Sequence, residues 1–152
     1  MVTPRLAAGF TLVELMVVLG VLSIFLAFAG PAFTSMVATQ QVSSAAYDVH
    51  TSLNIARSDA LTRNASVTVE PVGGNWAQGW TTTDSTGTVL RRQAAYARVV
   101  LTGPARIVFN ADGRPDNTIT PFAVSAADAK TDSYRCVRLR LNGRAAIDRG
   151  GC

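Results

Sequence analysis

Histidine occurs once in this chain, at His50, and cysteine twice, at Cys136 and Cys152. That scarcity excludes metal sites built from four cysteines, from two cysteines with two histidines, or from three histidines. It also leaves a single imidazole base, which argues against Ser-His-Asp and Cys-His catalysis. Lysine is nearly absent, since thirteen of the fourteen cations are arginine. Charged residues make up only 16% of the chain against 48% hydrophobic, which excludes a disordered tail protein of low hydrophobicity and high charge. No internal repeat is visible. The scattered aspartates, Asp48 and Asp59 among them, form no general acid–base pair. The sequence therefore offers no catalytic constellation, no metal site and no cofactor. The 152 residues suit one domain with an appendage. A net charge of +4 permits contact with nucleic acid or anionic lipid without requiring either.

The hydrophobicity is concentrated. From Phe10 to Phe33 the chain reads FTLVELMVVLGVLSIFLAFAGPAF, with Glu14 its only charge. About 20 apolar residues suffice to cross a hydrocarbon core. A short polar leader, Met1 to Gly9, precedes the run and carries Arg5. A cleaved secretory signal would place Arg5 in its n-region and use Ala27-Phe28-Ala29 as the cleavage site. A plain signal anchor would use the run whole. Neither accounts for Glu14, because a carboxylate at apolar depth is expensive unless neutralised. Signal h-regions also run only about 7–15 residues.

Gly9-Phe10-Thr11-Leu12-Val13-Glu14 resembles the processing site of type IV pilins and type II secretion pseudopilins. The resemblance implies cleavage between Gly9 and Phe10 by a membrane peptidase, followed by N-methylation of Phe10. It further implies that Glu14 pairs with the terminal amine of a neighbouring subunit during assembly. The freed amine of Phe10 is a cation at an apolar depth, and a carboxylate is the group that would neutralise it. Pro31 stands where family members often carry a helix-distorting proline.

Beyond the apolar run, Val42, Ala45, Ala46, Val49, Leu53, Ala56 and Ala60 recur at spacings of three and four. Ser43, Ser44, Asp48, Thr51, Ser52, Ser58 and Asp59 take the other side. That is helical periodicity with one narrow apolar stripe, and the helix is expected to end near Thr62. A helix from Phe10 to Thr62 would be on the order of 80 Å long. After Asn64 the pattern changes to strands. Val67 and Val69 alternate, and Pro71 and Gly73-Gly74-Asn75 punctuate. Thr81 to Thr88 reads as a loop or weak edge. Val99 to Leu101 and Ile107 to Phe109 are short apolar runs, and Asp112-Gly113 marks a turn before Ile119. Ala123 to Ser133 has no clear period and reads as a loop. Tyr134 to Leu141 alternates, and Asn142-Gly143 predicts a type I′ hairpin returning through Arg144 to Asp148. His50 reads as a solvated bystander, and Trp76 and Trp80 as core. The fold class is α+β, with a long N-terminal helix packed on an antiparallel sheet.

Several head segments resemble the GspH/FimT/FimU branch of minor pilins and minor pseudopilins: Arg57-Ser58-Asp59-Ala60, Trp76-Ala77-Gln78-Gly79-Trp80, Phe109-Asn110-Ala111-Asp112-Gly113, Cys136-Val137 and Gly143-Arg144. The implied organisation is a cleaved leader over 1–9, a membrane-spanning and assembly half-helix over 10–33, and a pilin head over 34–152. In an exported head Cys136 and Cys152 would form one disulfide; two free thiols in a cytosolic protein is the alternative.

Arg135, Arg138, Arg140, Arg144 and Arg149 crowd the last hairpin with only Asp148 opposing. Competence pilins of this branch bind DNA through a G-R-x-R motif on such a hairpin. Here Gly143-Arg144-Ala145-Ala146 lacks the second arginine, and Arg138 and Arg140 would have to compensate. The alternative is solvated charge or contact with another pilin. The sequence is thus read as a non-enzymatic minor type IV pilin that helps prime or cap assembly. DNA capture through Arg138, Arg140 and Arg144, and a minor pseudopilin of type II secretion, are the alternatives. The implied partners are major and minor pilins, the prepilin peptidase, the inner-membrane assembly platform, membrane lipid before assembly and, in the DNA-capturing reading, DNA. The implied location is the bacterial inner membrane, head in the periplasm, and then the fibre or its tip at the cell surface.

Overall fold

A computed structural model describes residues 11–116, 120–127 and 133–152, without the side chains of 27–33. Gly9, Phe10 and Ile119, and the side chains of Ala27-Phe28-Ala29 and Pro31, lie outside the described residues. The chain divides into two units, Met1–Met36 and Val37–Cys152.

Helix α1 (Leu12–Arg63) follows directly on Thr11. The Thr11 Oγ1 accepts the Glu14 N–H at 3.2 Å, and the Thr11 carbonyl accepts the Leu15 N–H at 3.1 Å. Thr11 is therefore the N-cap and Glu14 the third helical residue, the T-x-x-E spacing of a capping box. In the first unit every large apolar side chain from Leu12 to Leu26 is exposed, from 44% at Val18 to 73% at Leu12. Among the described residues no helix is long and apolar enough to cross a membrane. The apolar run of the sequence also takes in Phe10, outside the described residues, and 27–33, whose side chains are not described.

In the second unit the stripe read from the sequence is the buried face of α1. Val42, Ala45, Ala46, Val49, Leu53, Ala56 and Ala60 are all buried. Four of these are alanines, so the helix backbone can lie close to the strands beneath it. The helix ends in a Schellman arrangement. Asn64 takes a positive φ of 48°, Ala65 N–H reaches the Ala60 carbonyl at 3.2 Å, and Asn64 N–H the Leu61 carbonyl at 3.4 Å.

Among the described residues eight strands follow: β1 (Val67–Pro71), β2 (Trp80–Asp84), β3 (Val89–Gln93), β4 (Val99–Thr102), β5 (Ile107–Phe109), β6 (Phe122–Ala126), β7 (Tyr134–Leu139) and β8 (Ala145–Arg149). They form two four-stranded sheets, ordered β3-β2-β1-β5 and β4-β6-β7-β8, and every strand pairing is antiparallel. The expected α+β class is what is found, although the strands divide into two sheets.

Two segments differ from the sequence reading. Thr81 to Thr88, expected as a loop or weak edge, contains most of β2, which pairs with β1 on one side and β3 on the other. Trp80 and Thr82 point inward and are buried, so a threonine fills a core position that its hydroxyl hides from a hydropathy pattern. Ala123 to Ser133, expected as a loop, contains most of β6, the strand between β4 and β7. Phe122, Val124 and Ala126 are buried and alternate with Ala123 and Ser125. Small residues on both faces flatten the contrast that period-two reading needs.

An aromatic cluster links the two sheets. Trp76 lies edge-on to Phe122 with centroids 4.8 Å apart, and 5.9 Å from Trp80, which stacks on Tyr96 at 6.1 Å. The Trp76 indole N–H donates to the Pro104 carbonyl at 2.7 Å. Both tryptophans are core, as expected. Among the described residues all the buried core residues, from Val42 to Leu139, belong to Val37–Cys152, so this unit has its own hydrophobic core, as an independently folding domain does.

Candidate functional site

The head motifs that look unrelated in sequence meet at one place. Two hairpin turns share a local design. After β5, Gly113 N–H donates to the Asn110 carbonyl at 2.8 Å and Asn110 N–H to the Arg114 carbonyl at 2.8 Å. After β7, Gly143 N–H donates to the Arg140 carbonyl at 2.8 Å and Arg140 N–H to the Arg144 carbonyl at 3.0 Å. Side chains repeat the match, as Asp112 Oδ1 accepts the Arg114 N–H and Asn142 Oδ1 the Arg144 N–H. Gly113 and Gly143 have φ of 71° and 76°.

The second turn corrects the expected type I′ hairpin. A type I′ turn needs positive φ at both central residues, and Asn142 does not have it. The loop instead spans 141–143 and closes on a left-handed glycine, the three-residue hairpin with a glycine bulge. The extra residue leaves Leu141, the last residue of the alternating run, 75% exposed at the tip.

Arg57 on α1 joins the two turns. Its Nε donates to the Gly113 carbonyl at 3.0 Å. A Cβ placed on Gly143 would sit 2.0 Å from that same carbonyl oxygen and 2.9 Å from Arg57 Nε. One turn belongs to each sheet, so this junction fastens both sheets to the last turns of α1. Arg57, Gly113 and Gly143 thus hold the architecture together.

The expected arginine patch is only partly free. Arg138 Nη1 lies 3.1 Å from Asp148 Oδ2, across the β7–β8 pair. Arg140 and Arg144 are exposed, flank the loop, and make no ion pair among the described residues. Cys136 and Cys152 form the expected disulfide, with Cα atoms 5.1 Å apart. It secures the last residue behind β7.

Two polar grooves flank α1. One, of about 300 Å³, lies between α1 and β2–β3. The Tyr96 hydroxyl donates to Asp48 Oδ2 at 2.7 Å and Arg91 pairs with Asp59. Burial, and then the Asp48 carboxylate, push the Tyr96 phenol above its ordinary range. The other, of about 280 Å³, lies between α1 and β7–β8 and contains Arg135 and Arg149. At the β2–β3 turn, Asp84 Oδ1 accepts the Thr86 hydroxyl at 2.6 Å and the backbone N–H of Thr86 and Thr88. The hydroxyl contact is the main reason its carboxyl is held below the usual range. The His50 ring meets Asn54 Nδ2 at 3.2–3.3 Å, one helical turn along. Among the described residues no group of three or more His, Cys, Asp or Glu could hold a metal ion.

Sequence reasoning placed Arg57, Gly113 and Gly143 in separate motifs and missed that they touch. It also missed the Thr11–Glu14 capping spacing, which was legible as T-x-x-E, and the opposition of Arg135 and Arg149, which depends on strand register.

The comparisons agree with this geometry. The family model of the type II transport protein GspH matches residues 45–144, and the prokaryotic N-terminal methylation motif matches residues 4–30. Among the curated proteins nothing matches. Two crystal forms of the Pseudomonas aeruginosa type IV minor pilin FimU are similar in fold. In space group P21 the identity is 21% and the TM-score 0.62, over 72% of this chain and 89% of that one. In space group P65 the identity is 22% and the TM-score 0.59, over 70% and 91%. The chain belongs to the GspH/FimT/FimU family of type IV minor pilins and minor pseudopilins.

Proposed function

We propose that this chain is a non-enzymatic minor type IV pilin, a structural subunit that helps prime or cap fibre assembly after its leader is removed. One observation carries the reading: a methylation motif over residues 4–30 overlaps a helix whose large apolar side chains are exposed from Leu12 to Leu26, with one carboxylate in its first turn. Such a surface needs cover, first from lipid and then from neighbouring helices in a fibre. In this reading the peptidase cuts between Gly9 and Phe10, Phe10 is methylated, and Glu14 neutralises a neighbouring subunit's new amine. The segment 10–33 then spans the inner membrane with the head in the periplasm, and Pro31 distorts the helix.

The capping position of Glu14 gives its carboxylate a second use, against the positive end of α1. Substitution separates the two. Glutamine keeps the hydrogen-bonding capacity suited to the capping-box position and removes the charge. Glu14→Gln and Glu14→Ala should both leave leader cleavage intact and both lower incorporation into fibres, measured by immunoblot of sheared fibres against whole cells. Normal assembly of Glu14→Gln would refute the pairing role.

A second reading is favoured by the exposed Arg140 and Arg144, whose guanidinium groups suit phosphates. A DNA-capturing head would bind in a mobility-shift assay, weaken steeply with salt, and lose affinity in Arg140→Ala and Arg144→Ala. Salt-independent or absent binding by Val37–Cys152 removes this reading. A neighbouring type II secretion operon would instead favour a minor pseudopilin.

A further inference from the structure

We propose that Arg135 and Arg149 form an oxyanion site on the head, filled in the assembled fibre by the carboxylate of an acidic side chain from a neighbouring subunit. The occupant rests on the assembly role proposed above; the site itself does not.

The strand register makes the site. Arg135 on β7 is the direct cross-strand partner of Arg149 on β8. Like charges directly opposite one another destabilise a sheet. Elsewhere in the head Arg91 on β3 is offset by Asp59, and Arg138 on β7 by Asp148. Among the described residues neither Arg135 nor Arg149 makes an ion pair. Arg135 Nη1 donates to the Tyr134 carbonyl at 2.8 Å, which also accepts the Gly150 N–H at 3.1 Å. That contact fixes one nitrogen of the fork and leaves the others.

The two guanidinium groups border the groove of about 280 Å³ against α1. Ala46 and Ile147 supply apolar surface, which strengthens a charge–charge contact. Ser43 and Tyr47 add hydroxyl donors. Two cations, two hydroxyls and apolar walls suit one carboxylate arm, held by paired N–H···O bonds. A duplex backbone is met instead by a row of exposed cations contacting many phosphates.

The test uses the head, Val37–Cys152, melted in sodium phosphate and in sodium chloride at matched ionic strength, with inorganic phosphate as the probe. The wild-type melting temperature should rise by several degrees in phosphate beyond the rise shown by Arg135→Gln and Arg149→Gln. Any general salting effect persists in the variants, so the difference reports the site. In chloride, Arg149→Gln should melt higher than wild type by roughly 1–4 °C, because the repulsion is gone. A phosphate increment that is nil, or equal in all three proteins, overturns the site.

The occupant is tested in cells with a photo-crosslinking phenylalanine derivative at position 47 of the full chain. An adduct to an acidic peptide of another pilin supports it. Adducts only to lipid, nucleic acid or the same chain overturn it. If leader removal fails in the otherwise wild-type chain, the pilin reading fails, while the phosphate difference still judges the site.

Discussion

Gly143 shows how much one hydrogen atom in place of a methyl group can decide. The Gly113 carbonyl approaches so closely that a Cβ would overlap it at 2.0 Å, and φ is 76°. Gly87 has a similar φ of 83° with open space around it. Gly143→Ala should therefore cost about 1–3 kcal/mol more than Gly87→Ala in urea denaturation of the head. Equal costs would mean that backbone strain alone is at work there. Tyr96 offers a pH-dependent test. Its phenol is held above the ordinary tyrosine range in the folded head, so the folded state binds that proton more tightly than the unfolded chain. The head should keep its Tyr96-linked stability below about pH 10 and lose it as pH rises beyond, with the loss absent in Tyr96→Phe. At this scale the sequence was legible where one face decides burial: all seven residues of the helix stripe are buried. It was illegible where the partner is a backbone atom. Arg57 donates to a carbonyl 56 residues away, and no side-chain pattern marks an acceptor of that kind.

Elements were legible in proportion to the contrast between their faces. The second half of α1 alternates alanine and valine with serine and aspartate, and its end was placed to within a residue of Arg63. Strands β2 and β6 were missed because Thr82 is buried as if apolar and Ala123 is turned outward as if polar. The hairpin at 140–144 was found, but its type depended on φ at Asn142, which the Asn-Gly pair does not fix. The disulfide is the tie between the last residue and β7. It closes a separation of 16 residues, so Cys152→Ser should lower the stability of the head by about 3 kcal/mol in the chain-entropy account. Chemical denaturation of the oxidised head checks this. An unchanged midpoint would show that the C-terminal strand pair is held without the bridge.

At the scale of the whole molecule, the chain combines a head with its own core and a helix start whose apolar side chains find no cover within the described residues. In the function proposed above that cover comes in sequence, first bilayer and then fibre, and the proposal makes Gly9, Phe10 and Glu14 the residues on which the transfer depends. Peptide mapping by mass spectrometry of the native polypeptide, purified from membranes or sheared fibres, tests this most directly. The account predicts a mature chain that begins at Phe10 and carries a methyl group on its terminal nitrogen. A chain beginning at Met1, or at Gly30 as signal-peptide cleavage would leave it, would contradict it.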